Sequence, residues 1–281
     1  VKKTTQRTHE QILRVHLKPH FGRTDIRSID RGAVGAYLSA KCSGRDGHRR
    51  LSKKTVNNHL SVMSSLFTFA VDRQWVEENP AEGQRLKTEN VGYGCLNREE
   101  AVDFLAAVQE ADPFYYPIFL AALRTGMRQG ELLALRWQDV RLDLPAPVIV
   151  VRRSLSHGFL SSTKGNRVRR IPLHSELSEL LRSRIGTPES LVFHAPGGGA
   201  LTGNILKNPM RRAKTSIGRP ELRFHDLRHS FATQLTAAGI GLQVVQKLLG
   251  HSEITTTVKY SHPDERMSGD AIERLGAPRP A

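Results

Sequence analysis

The sequence is poor in cysteine: Cys42 and Cys95 are the only two in 281 residues. Two thiols cannot build a disulfide framework, nor a zinc site made largely of cysteine. Long hydrophobic runs are missing too, since no stretch approaches the ~20 apolar residues that a membrane span needs. No signal-peptide-like apolar region opens the chain. Internal repeats and low-complexity segments are also lacking. With 38% hydrophobic and 25% charged residues, the composition excludes collagen-like and disordered classes. These absences leave a globular protein, expected in the cytoplasm and off the membrane. The chain opens on Val1 rather than methionine, which points to a fragment.

Charge of one sign is abundant. Lys and Arg number 42 against 27 Asp and Glu, a formal net charge of +15. Residues 1–95 carry 17 basic and 9 acidic side chains, and residues 96–281 carry 25 and 18. Both halves are therefore basic, as in a protein that grips a polyanion, nucleic acid first, with two units. A merely soluble basic protein would show the same arithmetic.

The fold class expected is mainly α: a helical first domain at 1–80, a linker at 81–95, and a second domain at 96–281. The second domain reads as α+β, mostly helical with one small antiparallel sheet. Helices are expected at Thr8–Phe21, Gly32–Cys42 and Ser52–Trp75. In the last of these, Val56, Leu60, Met63, Phe67 and Ala70 form one apolar stripe at helical spacing. Asn79-Pro80 closes the region, because the residue before a proline is pushed out of the helical conformation. Asn97 and Glu100 are spaced as a capping box that opens a helix to about Gln109, followed by another at Pro113–Leu123. Two strand-like runs at Pro147–Arg153 and Arg167–Leu173, with a turn signal at Gly165-Asn166, make 148–173 the sheet. Helices return at about 202–215, 225–238, 241–249 and 255–261, and Gly239 and Gly250 suit two of their ends.

Four stretches of the second unit carry candidate chemistry. Arg128 and Glu131 are three apart and can pair on one helix face, although many such pairs are only solvated. His225 and Arg228 share that spacing. Two cations side by side suit a phosphate between them, which Arg binds bidentately and His can bond or protonate. In Leu249-Gly250-His251 the glycine turns the imidazole away from the preceding helix. Tyr260 is the only tyrosine after Tyr116. A lone tyrosine more often packs with its hydroxyl wet. As a nucleophile it needs cations nearby, because its pKa is ordinarily about 10.

Together these stretches resemble the tyrosine recombinases, specifically the phage-type integrases. Thr125-Gly126-Met127-Arg128 matches the family's first catalytic arginine, and Glu131 its acidic neighbour. His225 and Arg228 match the His-x-x-Arg pair, Leu249-Gly250-His251 the second histidine, and Tyr260 the nucleophile. Lys164, the only lysine between Met127 and Leu206, matches the family's hairpin lysine. Leu132–Leu142, Thr55–Leu60 and Asn79–Ala81 are also similar to family sequence.

The resemblance implies a site-specific recombinase or integrase that cuts and rejoins DNA through a 3′-phosphotyrosyl bond, without metal, ATP or cofactor. Tyr260 would attack, Arg128, Arg228 and His251 would hold the phosphate, Lys164 would protonate the leaving 5′-oxygen, and His225 would assist proton movement. Glu131 would orient the arginine. The expected partners are double-stranded DNA core sites, gripped by the two domains as a clamp, and three further copies in a synaptic homotetramer. Accessory directionality or host factors would complete the set. A C-terminal segment at about 264–281, with Asp264–Leu275 as the candidate stretch, would be exchanged between copies. Lys53, Lys54, Arg169, Arg170, Arg211 and Arg212 are expected phosphate contacts because they cluster. The biological setting implied is integration or excision of a mobile element in a bacterial or phage-infected cell, at the nucleoid. Two rivals are a zinc hydrolase built on His225 and His229, four apart on a helix, and a DNA-binding regulator that uses the first unit alone.

Overall fold

The computed structural model describes residues 3–44, 50–88, 94–156, 158–162, 168–251, 253 and 255–258. It divides into two compact units, Val1–Val91 and Gly92–Ala281.

In the first unit, α1 (Lys3–Ile12) passes through a π turn at Leu13–Leu17 into α2 (Lys18–Phe21). Asp30 then caps α3 (Arg31–Ser43) by accepting the Ala33 N–H at 2.7 Å, and Gly44, at φ 74°, ends it. Ser52 caps α4 (Lys53–Asp72) through the Thr55 N–H. The stripe Val56, Leu60, Met63, Phe67 and Ala70 is buried as its spacing predicts, and its first four members share a core with Val34, Tyr37 and Leu38 of α3. Each of the four larger side chains contributes roughly 1.5–3 kcal/mol.

Residues 81–86, read above as the start of a linker, pack on this unit. Ala81 is buried, and the Asn57 amide accepts from the Leu86 N–H at 3.0 Å and donates to the Leu86 carbonyl at 2.9 Å. A buried amide on α4 thus pins the segment, and the division between units falls later, at Val91/Gly92.

The second unit opens with the expected capping box. Glu100 N–H donates to Asn97 and Asn97 N–H donates to Glu100, both at 2.8 Å, starting α5 (Arg98–Ala111). A 3-10 turn at Pro113–Tyr115 leads into α6 (Tyr116–Thr125), and the short α7 (Gln129–Leu133) follows. Strands β1 (Val140–Arg141), β2 (Val148–Val151), β3 (Arg153–Ser156), β4 (Phe159–Ser162) and β5 (Arg169–Pro172) come next. The rest is helical: α8 (Ser175–Arg182), α9 (Lys207–Ser216), α10 (Phe224–Ala237), α11 (Leu242–Leu249) and α12 (Thr255–Val258).

The single sheet expected over 148–173 is two sheets. The valine- and isoleucine-rich runs pair antiparallel in a three-stranded sheet of order β1-β2-β5, with Ile149 opposite Ile171. The polar stretch between them folds on itself as the separate β3–β4 hairpin. The expected turn at Gly165-Asn166 lies outside the described residues. The core joins Phe104 and Leu105 of α5, Ile118 to Leu123 of α6, Ile149, Ile171 and Leu227. Among the described residues no helix is long and apolar enough to cross a membrane.

Candidate active site

The site is built where helix ends meet. Gly126 ends α6 at φ 60°, and a Cβ there would lie 2.4 Å from the Phe231 ring and 2.9 Å from Leu249. Only glycine fits this left-handed turn. The chain reverses through it so that Arg128 sits at the N-cap of α7, with its side chain partly open to solvent.

Glu131, in the first turn of α7 and 1% exposed, receives four hydrogen bonds. Arg128 donates its N–H to Oε2 at 2.9 Å and Nη1–H to Oε1 at 3.0 Å. Arg169, at the start of β5, donates Nη1–H to Oε1 at 3.0 Å and Nη2–H to Oε2 at 2.6 Å. Burial alone would raise the Glu131 pKa. The hydrogen bonds and charge of Arg169, with the N–H and charge of Arg128, overcome it and hold the carboxyl at about 2.

Arg228, on α10, is 2% exposed. Its Nη1–H donates to the Gly126 carbonyl and its Nη2–H to the Leu249 carbonyl, each at 2.7 Å. Both acceptors are carbonyls at the C-terminal ends of helices, where a cation is favoured. One guanidinium thereby ties α6, α10 and α11 together. Gly250, at φ 67°, ends α11 and delivers His251, whose Nδ1 lies 2.9 Å from the Thr257 hydroxyl of α12.

Electrostatics places the cations and imidazoles in one field. Desolvation first, then the charges of Arg228 and Arg128, lowers the His251 pKa to about 4. His225 is lowered by desolvation and by the charge of Arg228, against an opposing pull from Asp226, with Arg128 adding to the lowering. Both imidazoles are therefore neutral near pH 7. His225 stands edge-on to His229, with ring centroids 4.9 Å apart. Among the described residues no three His, Cys, Asp or Glu side chains converge as a metal ligand set.

Of the residues singled out in sequence, Arg128, Glu131, His225, Arg228 and His251 come together here. Lys164, Tyr260 and the 264–281 segment lie outside the described residues. Arg169 needs correction as a phosphate contact: its side chain is 8% exposed, all three of its guanidinium nitrogens are engaged, and its charge is paired with the Glu131 carboxylate, whereas the two terminal nitrogens of Arg228 meet neutral carbonyls. Alternation along β5 carried the signal, because Arg169 and Ile171 share the buried face while Arg170 is exposed. Lys53, Lys54, Arg170 and Arg211 are exposed. Arg212 is exposed as well but forms an ion pair with Asp112.

Residues 95–267 match the model of the phage integrase family. Tyrosine recombinase XerC of Xylella fastidiosa (strain M23) is 31% identical over 252 residues, covering 85% of this chain and 79% of that protein. A tyrosine recombinase XerC-like protein of Caldanaerobacter subterraneus subsp. tengcongensis is 26% identical over 260 residues, and the alignment spans 80% of this chain and 66% of that protein's length. Among solved structures, the Tn1549 transposon integrase in complex with a circular intermediate DNA superposes with a TM-score of 0.81. It is 22% identical, and the match covers 98% of this chain and 95% of that one. The XerH site-specific recombinase bound to palindromic difH superposes with a TM-score of 0.70 at 23% identity, over 96% of this chain and 80% of that one. With the family model spanning more than half its length and the XerC relative above 30% identity, the chain belongs to the phage integrase family and is a tyrosine recombinase.

Proposed function

We propose that this chain is a site-specific DNA recombinase that integrates or excises a mobile element through a covalent Tyr260–DNA intermediate. The observation that carries the reading is the convergence of Arg128, Arg228 and the His251 turn, linked through Glu131, Gly126 and Leu249. That arrangement offers preorganised cations and donors to one phosphate. Each such donor typically contributes about 3–4 kcal/mol to a transition state in which charge builds on oxygen.

In the proposed step the Tyr260 hydroxyl oxygen bonds to phosphorus as the bond from phosphorus to the 5′-oxygen breaks. The tyrosine proton passes toward His225, whose lowered pKa leaves it free to accept one. Lys164 supplies the proton that the departing 5′-oxygen needs. If the Thr257 hydroxyl donates to Nδ1 of His251, the imidazole keeps its proton on Nε2 and can donate it to the phosphate. Attack by a partner strand's 5′-hydroxyl reverses the step. One phosphodiester is exchanged for another each time, so neither ATP nor a metal enters the balance.

Double-stranded DNA is the proposed partner, as it is of the relatives solved with DNA. Exposed Lys53, Lys54, Arg170 and Arg211 contribute phosphate contacts, and Arg212 joins them from its pair with Asp112. Four copies assemble on two duplexes, exchanging the segment at about 264–281, with accessory directionality or host factors setting direction. The breadth of likeness to a transposon integrase supports the mobile-element role.

Nicked duplexes drawn from the DNA bordering the element that encodes the chain provide the test. The expected result is a protein–DNA adduct stable in SDS, formed in EDTA, and lost in Tyr260→Phe. An adduct that persists in Tyr260→Phe overturns the reading.

A further inference from the structure

The proposed chemistry leaves Arg169 without a task, although its side chain makes three hydrogen bonds within the site. Its fork takes both oxygens of Glu131, and its Nε–H donates to the Leu248 carbonyl at 2.9 Å. The stem of the same side chain lies against the turn that delivers His251. A Cβ on Gly250 would come within 2.9 Å of Arg169 Cδ. Arg169 therefore touches the α7 start, the α11 end and β5 at once, from a position closed to DNA.

Its charge has a consequence for Arg128. Glu131 alone would neutralise Arg128, which would cancel the positive field that a phosphate needs. With Arg169 paired to the same carboxylate, two cations share one anion and a net positive charge remains on the side of Arg128, the member that reaches solvent. Stability alone is a weak reason for the arrangement, because a buried ion pair can often be replaced by packed apolar residues without loss.

We infer that Arg169 is a positioning residue: by holding Glu131 and the Leu248 carbonyl together, it sets Arg128 and the Gly250–His251 turn onto one scissile phosphate. The inference rests on the recombinase reading above. It adds a buried arginine that touches no substrate and acts through Glu131 and through the α11 end. Arg169 also lies five residues after Lys164 in the chain, so an effect routed through the leaving-group proton must be separated from one on phosphate charge.

The test uses the nicked duplex that yields the Tyr260 adduct, with Arg169→Met and Arg169→Lys, in single-turnover cleavage and DNA-binding measurements. Misplacement of about an ångström costs about 100-fold in rate. Arg169→Met is expected to slow cleavage by about that factor, with affinity and its salt slope unchanged. Arg169→Lys, keeping the charge but not the fork, should fall between. A methylphosphonate at the scissile position removes the charge that Arg128 answers, so it should shrink the Arg169→Met defect. A 5′-bridging phosphorothiolate, whose leaving group needs no proton, should leave the defect intact.

A rate equal to wild type overturns the inference, as does a defect confined to affinity or to a shallower salt slope. A defect erased by the phosphorothiolate, or undiminished on the methylphosphonate, also overturns it. If Arg169→Met does not fold, Arg169→Met with Glu131→Gln removes both buried charges together. That double variant should fold and cleave slowly, and wild-type cleavage by it overturns the inference. Failure of the recombinase reading is a separate event, seen as an adduct indifferent to Tyr260→Phe in otherwise unaltered protein.

Discussion

Glu131 shows how a buried carboxylate makes the site and also stabilises it. Its pKa is near 2 in the fold and about 4.5 when unfolded, so its contribution is fully present above pH 4.5 and is lost as pH falls through 2. A shift of that size corresponds to roughly 3 kcal/mol. Glu131→Gln keeps the shape but leaves Arg169 buried without its counter-charge, at a cost of about 3–5 kcal/mol. Urea unfolding at pH 7 should register that loss, and the gap to wild type should narrow toward pH 2. A loss below about 1 kcal/mol at pH 7 would show that Arg169 finds another anion. Much of this arrangement was legible in the sequence, because Arg128, Glu131, His225, Arg228 and His251 stand at spacings that survive folding. Arg169 was misread because clustering with Arg170 says nothing about which of two adjacent strand residues faces inward.

Elements were legible where one physical signal dominated. The α4 stripe and the Asn97–Glu100 box rest on local spacing, and both appear as expected. The β3–β4 hairpin was missed because Arg153–Ser156 and Phe159–Ser162 lack the β-branched run that marks β2. Helix α8 has Leu177, Leu180 and Leu181 at helical spacing, but eight residues are too short a window for periodicity to decide. The junction between α6 and α7 is the element-scale feature on which the site depends. Gly126→Ala meets two costs there: a left-handed conformation worth about 1–2 kcal/mol, and overpacking against Phe231 and Leu249 worth about 1–3 kcal/mol. Loss of about 2–5 kcal/mol in denaturant unfolding is the expected sum. A loss of only about 1–2 kcal/mol would mean that Phe231 and Leu249 move aside freely and the backbone cost alone remains, and an unchanged midpoint would overturn both costs.

At the scale of the whole molecule, the net charge of +15 is divided between two units with separate cores. Each core also holds a neutral histidine, which gives each unit its own response to acid. In the first unit His59 is 1% exposed, bonded to the Tyr37 hydroxyl at 2.9 Å and stacked on His16. Burial first, then the charges of His16 and Lys41, lowers its pKa to about 4. In the second unit His229 and His251 are lowered to about 4 as well. An unfolded histidine binds its proton near pH 6.5, before the folded one does. Stability is therefore unaffected above that pH and falls as pH drops from 6.5 toward 4. For His59 the loss by pH 5 is about 2 kcal/mol.

The two tryptophans allow the units to be followed apart, because Trp137 is buried in the second unit and Trp75 is largely exposed in the first. The emission shift of Trp137 tracks the second unit, while far-ultraviolet circular dichroism tracks helices in both. His59→Gln keeps a hydrogen-bonding group for Tyr37 and removes the titration. Between pH 7 and pH 5 it should lessen acid destabilisation in the dichroism signal by about 2 kcal/mol and leave the Trp137 transition as in wild type. Equal acid sensitivity of variant and wild type in the dichroism signal would place the acid response of the first unit on groups other than His59.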